Sequence, residues 1–402
     1  MKKMEEFINF WVNGVLTCVV VVCGIFLNSI SIHIIWKKYS KIGIFYQMLL
    51  RLLCIDICVL VTWFVFSLYG AFKVKQIFLL YIIAYGIYPL IHVALSASTF
   101  MTIAISHERY RAVKFPIRYT EEMKAPHVVT RRLFLYTITV IFLSVVYNFS
   151  YFFELKVKHV TISKHCDEKL QSANSTTLVE DAEIVEKITN LTHGNISNFK
   201  AALERTELGK NEDYLKYYRF ITRLMISGII PFVVLIYFNI EILRAIKKNN
   251  RLRRRLAVAQ PLSRLMSVQS TGCESLDSGP IKVTNSMLTA TSKQEQKRQQ
   301  EDNLAKLFVV MVVAFLCCNS LKFALNFYDG INVKHKVEEW YRIISFFSNI
   351  LVLINSSMNM GIYCIMNIKF RKDLIELCKS FMPTKQAHRS SIKSRHTSGT
   401  TR

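Results

Sequence analysis

The sequence predicts an all-α integral membrane protein. The expected fold is a seven-transmembrane helix bundle with its N-terminus outside and a short amphipathic eighth helix on the cytoplasmic side. Three observations predict it. Apolar residues, 51% of the chain, gather in seven long runs. Basic residues gather at alternate ends of those runs, and the segment after the last run alternates apolar and charged residues at helical spacing. A formal charge of +24 would suggest a nucleic-acid partner in a soluble protein, because clustered Lys and Arg neutralise phosphates. The apolar runs argue against that, since each is near the roughly 20 residues that cross a hydrocarbon core as a helix.

Taken in order, residues 1–13 form an extracellular N-terminus, and the helices are expected at about 14–36, 42–70, 77–106, 132–153, 219–245, 303–328 and 341–366. The first run contains no Asp, Glu, Lys or Arg. It is too long for a cleaved signal peptide and is not followed by a small-residue cleavage site. Short cytoplasmic loops retain Lys and Arg, which sets the orientation. Lys37, Lys38 and Lys41 follow the first run, Arg109, Arg111, Lys114 and Arg118 the third, and Lys247 through Arg255 the fifth. The excess charge then faces anionic inner-leaflet lipid.

Three segments lie outside the bundle. Residues 154–218 form a long polar extracellular loop with N-x-S/T sequons at Asn174, Asn190 and Asn195, on the side where glycosylation is available. Within it, Leu178, Ile184, Val185, Ile188 and Leu191 approximate a helical stripe. The cytoplasmic loop 246–302 starts basic and becomes rich in Ser, Thr and Gln, so its middle is expected to be disordered. In residues 368–379, Phe370, Leu374, Ile375 and Leu377 alternate with Arg371, Lys372 and Asp373, the pattern of a helix lying on a membrane. Cys378 at its end is a palmitoylation candidate. The tail 380–402 carries Ser390, Ser391, Ser394, Thr397, Ser398, Thr400 and Thr401 among basic residues. It reads either as a phosphorylation substrate or as a plain unstructured end.

Charged side chains at mid-membrane cost about 2.5–3.5 kcal/mol on insertion scales, so they mark sites. Asp56 in the second run is the clearest case, with Asn28, Ser98, Asn355, Ser356 and Asn359 at similar depth in other runs. One carboxylate among hydroxyl and amide oxygens suits a small hard cation such as sodium, or is simply a hydrogen-bonded interior carboxyl. At the cytoplasmic end of the third run stands Glu108-Arg109-Tyr110. Arg109 there is either a snorkelling anchor or, paired with Glu301 before the sixth run, a clamp between two helix ends whose release forms a switch.

Together these residues resemble the rhodopsin-like family of G-protein-coupled receptors. The resemblance rests on Gly24-x-x-x-Asn28, Leu52-Leu53-x-x-Asp56, Ser98 eleven residues before Arg109, Glu108-Arg109-Tyr110, Pro231 and Asn359-Met360-Gly361-Ile362-Tyr363. It implies an activation switch made of Glu108, Arg109, Tyr110, Glu301, Phe315, Asn319, Asn359 and Tyr363. It also implies a sodium site at Asp56, Ser98, Asn355, Ser356 and Asn359. The departures are specific. Met360 replaces a proline, the sixth run lacks both the family's Trp and its kinking Pro, and the fourth lacks its Trp. Ala84 stands where the third helix normally carries a disulfide cysteine, which leaves Cys166 without an obvious mate. Tyr147-Asn148 through Glu154, Cys318-Asn319 with Leu325-Asn326, and Ile354 through Cys364 are similar to the invertebrate FMRFamide-receptor branch. That likeness implies an amidated neuropeptide ligand with a basic, aromatic C-terminus.

The resemblance further implies a plasma-membrane receptor with an extracellular ligand, a heterotrimeric G protein, and arrestin and receptor kinases as partners. No lysine lies in the seventh run, which excludes a retinal Schiff base there, and Ile91 stands where amine receptors carry an aspartate. Glu154, Asp213 and Glu339 at outer helix ends are candidate carboxylates for a peptide arginine, and His92 and Lys322 are expected to face the bundle cavity. No nucleophile or metal-hydrolase constellation is present, so no enzyme is expected, and no cofactor beyond an allosteric sodium ion. The competing readings are a chemosensory receptor for small molecules and, more remotely, a transporter or channel. The latter would show internal repeats or a ring of pore charges.

Overall fold

In the computed structural model, residues 9–39, 43–72, 76–161, 199–269, 281–331 and 339–381 are described. Six helices are long and apolar enough to cross a membrane: α1 (Gly14–Tyr39), α2 (Ile44–Tyr69), α3 (Ile77–Lys114), α4 (Pro126–Tyr147), α5 (Tyr214–Arg251) and α6 (Asp302–Tyr328). The seventh span, α7, is a broken pair, Trp340–Ser357 and Asn359–Met366, bent by 49°. An amphipathic α8 (Ile368–Phe381) closes the described chain. The all-α bundle expected from the apolar runs is the fold observed.

Large apolar side chains face outward along the spans, most densely on α4, where Phe134 and Phe142 are 61% and 62% exposed. Such a surface has no place in water and is the lipid-facing side of a bundle. Inward, Met48, Leu53, Met101, Ile105, Leu235, Phe308 and Val312 pack a core that ties α2, α3, α5 and α6 together in the cytoplasmic half. Gly24 lets α1 close on the α7 bend, because a Cβ there would collide with Ser357 and lie 2.9 Å from Leu60.

The break in α7 occurs without a proline. Met358 takes a near-bridge conformation between its two segments. The Ser357 hydroxyl donates back to the Leu353 carbonyl at 2.8 Å. Such back-bonding bends helices, and Asn359 is drawn sideways to Asp56 at 2.7 Å. The α8 start is capped by Asn367, whose Oδ1 accepts from the backbone N–H groups of Lys369 and Phe370 at 3.1 and 3.2 Å. On the α1 side, Lys38 pairs with Asp373 and Glu376 at 2.8 and 2.6 Å. Burial pushes the Asp373 carboxyl up, but hydrogen bonds from Lys38 and Tyr39 outweigh it and hold the group below its usual range.

Several boundaries differ from expectation. The α3 helix runs to Lys114 instead of 106. The fourth helix starts at Pro126, not 132, and stops at Tyr147, with Phe149–Phe153 in a 3-10 turn. The cytoplasmic loop 246–302 is largely helical where described: α5 continues to Gln269, and the helix containing α6 starts at Ile281. Its Leu, Arg, Ala and Gln residues are strong helix formers, a preference that the polar composition masked. The outer loop is not all coil either. Leu155–Thr161 (β1) and Phe199–Arg205 (β2) form an antiparallel hairpin with Leu155 opposite Arg205. The sequons at Asn174, Asn190 and Asn195, the helical stripe and Cys166 lie outside the described residues.

Candidate functional site

Three polar assemblies sit at different depths. The innermost surrounds Asp56, which is 2% exposed. Its Oδ1 accepts from the Ser98 hydroxyl at 2.8 Å and its Oδ2 from the Asn359 amide at 2.7 Å, and the Ser356 hydroxyl also hydrogen-bonds to it. Asn28 donates to the Ser356 carbonyl at 2.8 Å, which joins α1 to the same assembly. Asn355 is only half-buried, and among the described residues no hydrogen bond joins it to Asp56. Asn28 Oδ1 and the Tyr363 hydroxyl are buried without a partner among the described residues. An oxygen-rich set around one carboxylate, with orphaned oxygens nearby, fits the ligand preference of a small hard cation.

The second assembly lies at the cytoplasmic ends of α3 and α4. Glu108 is fully buried, yet its partners are on α4: Arg132 at 3.4 Å and the Tyr136 hydroxyl at 3.0 Å. Arg109 stacks on the Phe45 ring at 4.2 Å. Phe45 in turn meets Phe308 of α6 edge-on, so the Arg109 position is coupled by packing to α6. Glu122, on the short helix Pro116–Glu122, collects Arg111, Arg118 and Arg132 at 2.8, 3.1 and 2.6 Å. The Arg132 guanidinium, above all, holds the Glu122 carboxyl below the usual range. Tyr110 accepts from Lys114 at 2.5 Å and packs on Phe238 of α5. The Glu301 side chain lies outside the described residues. Tyr363 is 2% exposed and packs edge-on against Phe370 of α8, and Phe315 is buried in the core below the cavity.

The third assembly is a cavity in the outer half of the bundle, partly open to solvent. Its walls include His92, Tyr151, Arg223, Phe323, Lys322 and Asn319. His92 stacks on Tyr151 with ring centroids 3.8 Å apart. Phe232 and Phe323 stack at 5.5 Å, and Phe323 presses on the bare Cα of Gly228, where a Cβ would approach within 2.5 Å. Lys322 donates to Asn349 at 2.7 Å. Asn148 ties the end of α4 to α3 by donating to Ser96 at 2.9 Å, and Asn319 donates back to Phe315 at 2.8 Å.

His92 and Lys322 therefore line the cavity, whereas Ile91 is buried beside it and is not part of its wall. Asp213 is exposed on the outer turn of α5, and the Glu339 side chain lies outside the described residues. Glu154 is 2% exposed and already engaged: Tyr88 and Tyr214 each donate to it at 2.8 Å, and Arg219 pairs with it at 3.3 Å. Its carbonyl also accepts from Thr206 at 2.9 Å, so the hairpin is fastened to α3, α4 and α5 at one point. Ala84 itself is fully buried, and the eight described cysteines are free. Arg219 and Arg223 were missed by sequence reasoning. Their signal was two cations four residues apart at the outer end of an apolar run, hence on one helix face.

The family model described as 7 transmembrane receptor (rhodopsin family) matches residues 204–363, which hold α5, α6 and α7. The bundle, the buried carboxylate and the Glu-Arg-Tyr end accompany this match, so over these residues the chain is similar to the rhodopsin-like seven-helix receptors, a family of receptors and not of enzymes. The chain is also similar to the FMRFamide receptor of Drosophila melanogaster, with 25% identity over 374 residues. That match covers 91% of this chain and 53% of the relative, so the chain spans about half the relative's length.

Proposed function

We propose that this chain is a plasma-membrane peptide receptor that passes binding in its outer cavity to heterotrimeric G proteins. The observation that carries the reading is a polar, aromatic-walled cavity at the outer end of the same bundle that buries Asp56 and Glu108-Arg109 further in. The name of the Drosophila relative supports a peptide as the ligand. Tyr151, Phe232 and Phe323 give an aromatic residue of that peptide apolar walls. Among the described residues the cavity wall offers no acid to the basic residue that the resemblance implies, and Glu154 is engaged by Arg219.

In the proposed cycle the ligand shifts a two-state equilibrium, and only its differential affinity for the two states moves the population. Asp56 and its hydroxyl and amide neighbours would hold a sodium ion in the resting state, where that ion supplies positive charge to a buried carboxylate. In that cycle Arg109 leaves the Phe45 ring and the proposed Arg109–Glu301 clamp opens as α3 and α6 part, and the Tyr363 hydroxyl, without a partner among the described residues, gains one. Cys378, exposed on α8, is available for palmitoylation. The cytoplasmic tail would serve receptor kinases and arrestin, and the outer sequons would carry glycans.

The test is a response screen in cells expressing the chain with a promiscuous G protein. Each library peptide is supplied with both an amidated and a free C-terminus. A sub-micromolar response to aromatic-ended peptides supports the reading, and the preferred terminus decides whether the ligand is amidated. Silence with surface expression verified, alongside responses to small odorant-type molecules, would replace it with a chemosensory receptor.

A further inference from the structure

We propose that a groove at the cytoplasmic end of α3 binds the headgroup of an anionic inner-leaflet lipid, one that carries hydroxyls beside its phosphate. The groove is at the other end of the bundle from the outer cavity, so the inference does not depend on the ligand which that cavity takes. Its walls include His107, Tyr110, Arg111, Phe115, Arg118 and Glu122, and it is partly open. These residues come from the end of α3, the turn after it and the short helix Pro116–Glu122.

Positive charge is in excess here. Residues 110–132 hold six Lys and Arg against two Glu. Glu122 collects Arg111, Arg118 and Arg132. A carboxylate accepts about four hydrogen bonds, whereas each guanidinium offers about five N–H donors, so three guanidiniums outnumber what one carboxylate can take. Arg118 meets Glu122 through Nε at 3.1 Å, and its side chain is 82% exposed. Among the described residues its terminal nitrogens have no acceptor, and a phosphate placed there would gain charge-assisted hydrogen bonds.

The groove also carries acceptors. The Tyr136 hydroxyl gives its one proton to Glu108 at 3.0 Å. At the 2.9 Å contact with His107 Nδ1 its oxygen therefore accepts, and the imidazole donates. In the neutral ring that leaves Nε2 as an acceptor. With His107 and Glu122 beside Arg118, the wall suits a phosphate on the cations and hydroxyls on the acceptors. A bare phosphate would meet the Glu122 charge with no hydroxyl to offer it. The source is the membrane, because apolar side chains lie exposed next to the groove: Phe115 and Ile117 on the same segment, and Phe134 and Leu135 early in α4. Acyl chains would cover these, and basic pockets between helices on the cytoplasmic side are where anionic headgroups are recognised.

The experiment uses the purified full-length chain in detergent micelles and reads Tm, with neither peptide nor G protein present. The probes are dioctanoyl-phosphatidylinositol, dioctanoyl-phosphatidic acid, dioctanoyl-phosphatidylcholine and soluble inositol 1-phosphate. A probe that binds the folded chain raises Tm with its concentration. Phosphatidylinositol should do so at lower concentration than phosphatidic acid, and the other two should leave Tm unchanged over the same range. Arg118→Gln should weaken phosphatidylinositol about tenfold, the loss expected for one charge-assisted contact. Arg118→Lys, which keeps the charge, should retain the shift and serves as the control if Arg118→Gln folds poorly. His107→Phe should remove the advantage of phosphatidylinositol over phosphatidic acid, and Lys369→Gln on α8 should alter neither. No shift from phosphatidylinositol, an equal shift from inositol phosphate, equal potency of phosphatidic acid in the wild type, or losses in Arg118→Gln no larger than in Lys369→Gln would each overturn the proposal. None of these outcomes bears on the receptor reading, which is tested by signalling in cells.

Discussion

Replacing Glu154 by Ala should cost this protein about 3 kcal/mol of stability. The carboxylate is 2% exposed and takes Tyr88, Tyr214 and Arg219 at 2.8, 2.8 and 3.3 Å. Truncation leaves two phenol donors without their acceptor and a guanidinium without its counter-ion. Breaking a buried pair by removing one partner costs about 3–5 kcal/mol. The lower end applies because 20% of the Arg219 side chain reaches solvent, where water replaces part of the lost pairing. At about 2–4 °C per kcal/mol for a domain of this size range, Tm should fall by about 6 °C or more. Glu154→Gln, which keeps one acceptor oxygen, should fall in between. Thermal unfolding of the purified protein in nanodiscs reads both. A fall of less than about 2 °C for Glu154→Ala, below what even 1 kcal/mol would give, would refute the view that this carboxylate fastens the hairpin to the bundle.

Three further outcomes are expected. Asp56→Asn should abolish any sodium dependence of ligand affinity while leaving expression intact, because Asn keeps the shape and loses the charge. Sodium sensitivity equal to wild type would remove the ion from the account. In Gly24→Ala the new Cβ would lie 2.8 Å from Ser357 Cβ and 2.9 Å from Leu60, an overpacking that costs about 1–3 kcal/mol. An unchanged Tm would show that α1 does not close on the α7 bend. Lastly, the Asp373 carboxyl is held below its unperturbed value of 3.8. Its contribution to α8 docking is full above that value and lost only as pH falls through the lower folded one. Hydrogen exchange of α8 should therefore be flat from neutral pH down to about pH 4, and loss of protection near about pH 6 would contradict the Lys38–Asp373 tie.

Sequence and structure agree where a single physical rule decides. An apolar run of membrane length can be satisfied only as a helix or a closed barrel, so the spans were readable. The expense of burying Asp56 in lipid demanded partners, and Ser98, Ser356 and Asn359 are those partners. What was not readable depends on which of several equivalent groups pair. Arg132 is one basic residue among several before the fourth run, yet it is the counter-ion of Glu108. Arg219 and Glu154 are joined across a long loop, and nothing local in either sequence names the other. The hairpin was legible in part: Leu155-Lys156-Val157-Lys158 alternates apolar and charged residues with the period of a strand. The expectation of an all-helical bundle hid it. The charge of the cavity was hidden for a related reason, since Arg223 reads as the polar edge of an apolar run until the bundle closes around it.

The central claim is that this chain turns peptide binding outside into G-protein activation inside. The most direct measurement reconstitutes the purified chain in nanodiscs with purified heterotrimeric G proteins of each class. Nucleotide exchange is followed with and without the best peptide from the screen. The account predicts accelerated exchange on at least one class, with Arg109→Ala losing the acceleration while peptide binding persists. Peptide binding that accelerates exchange on no G protein, together with peptide-dependent ion or solute flux when the chain is placed in liposomes, would contradict it.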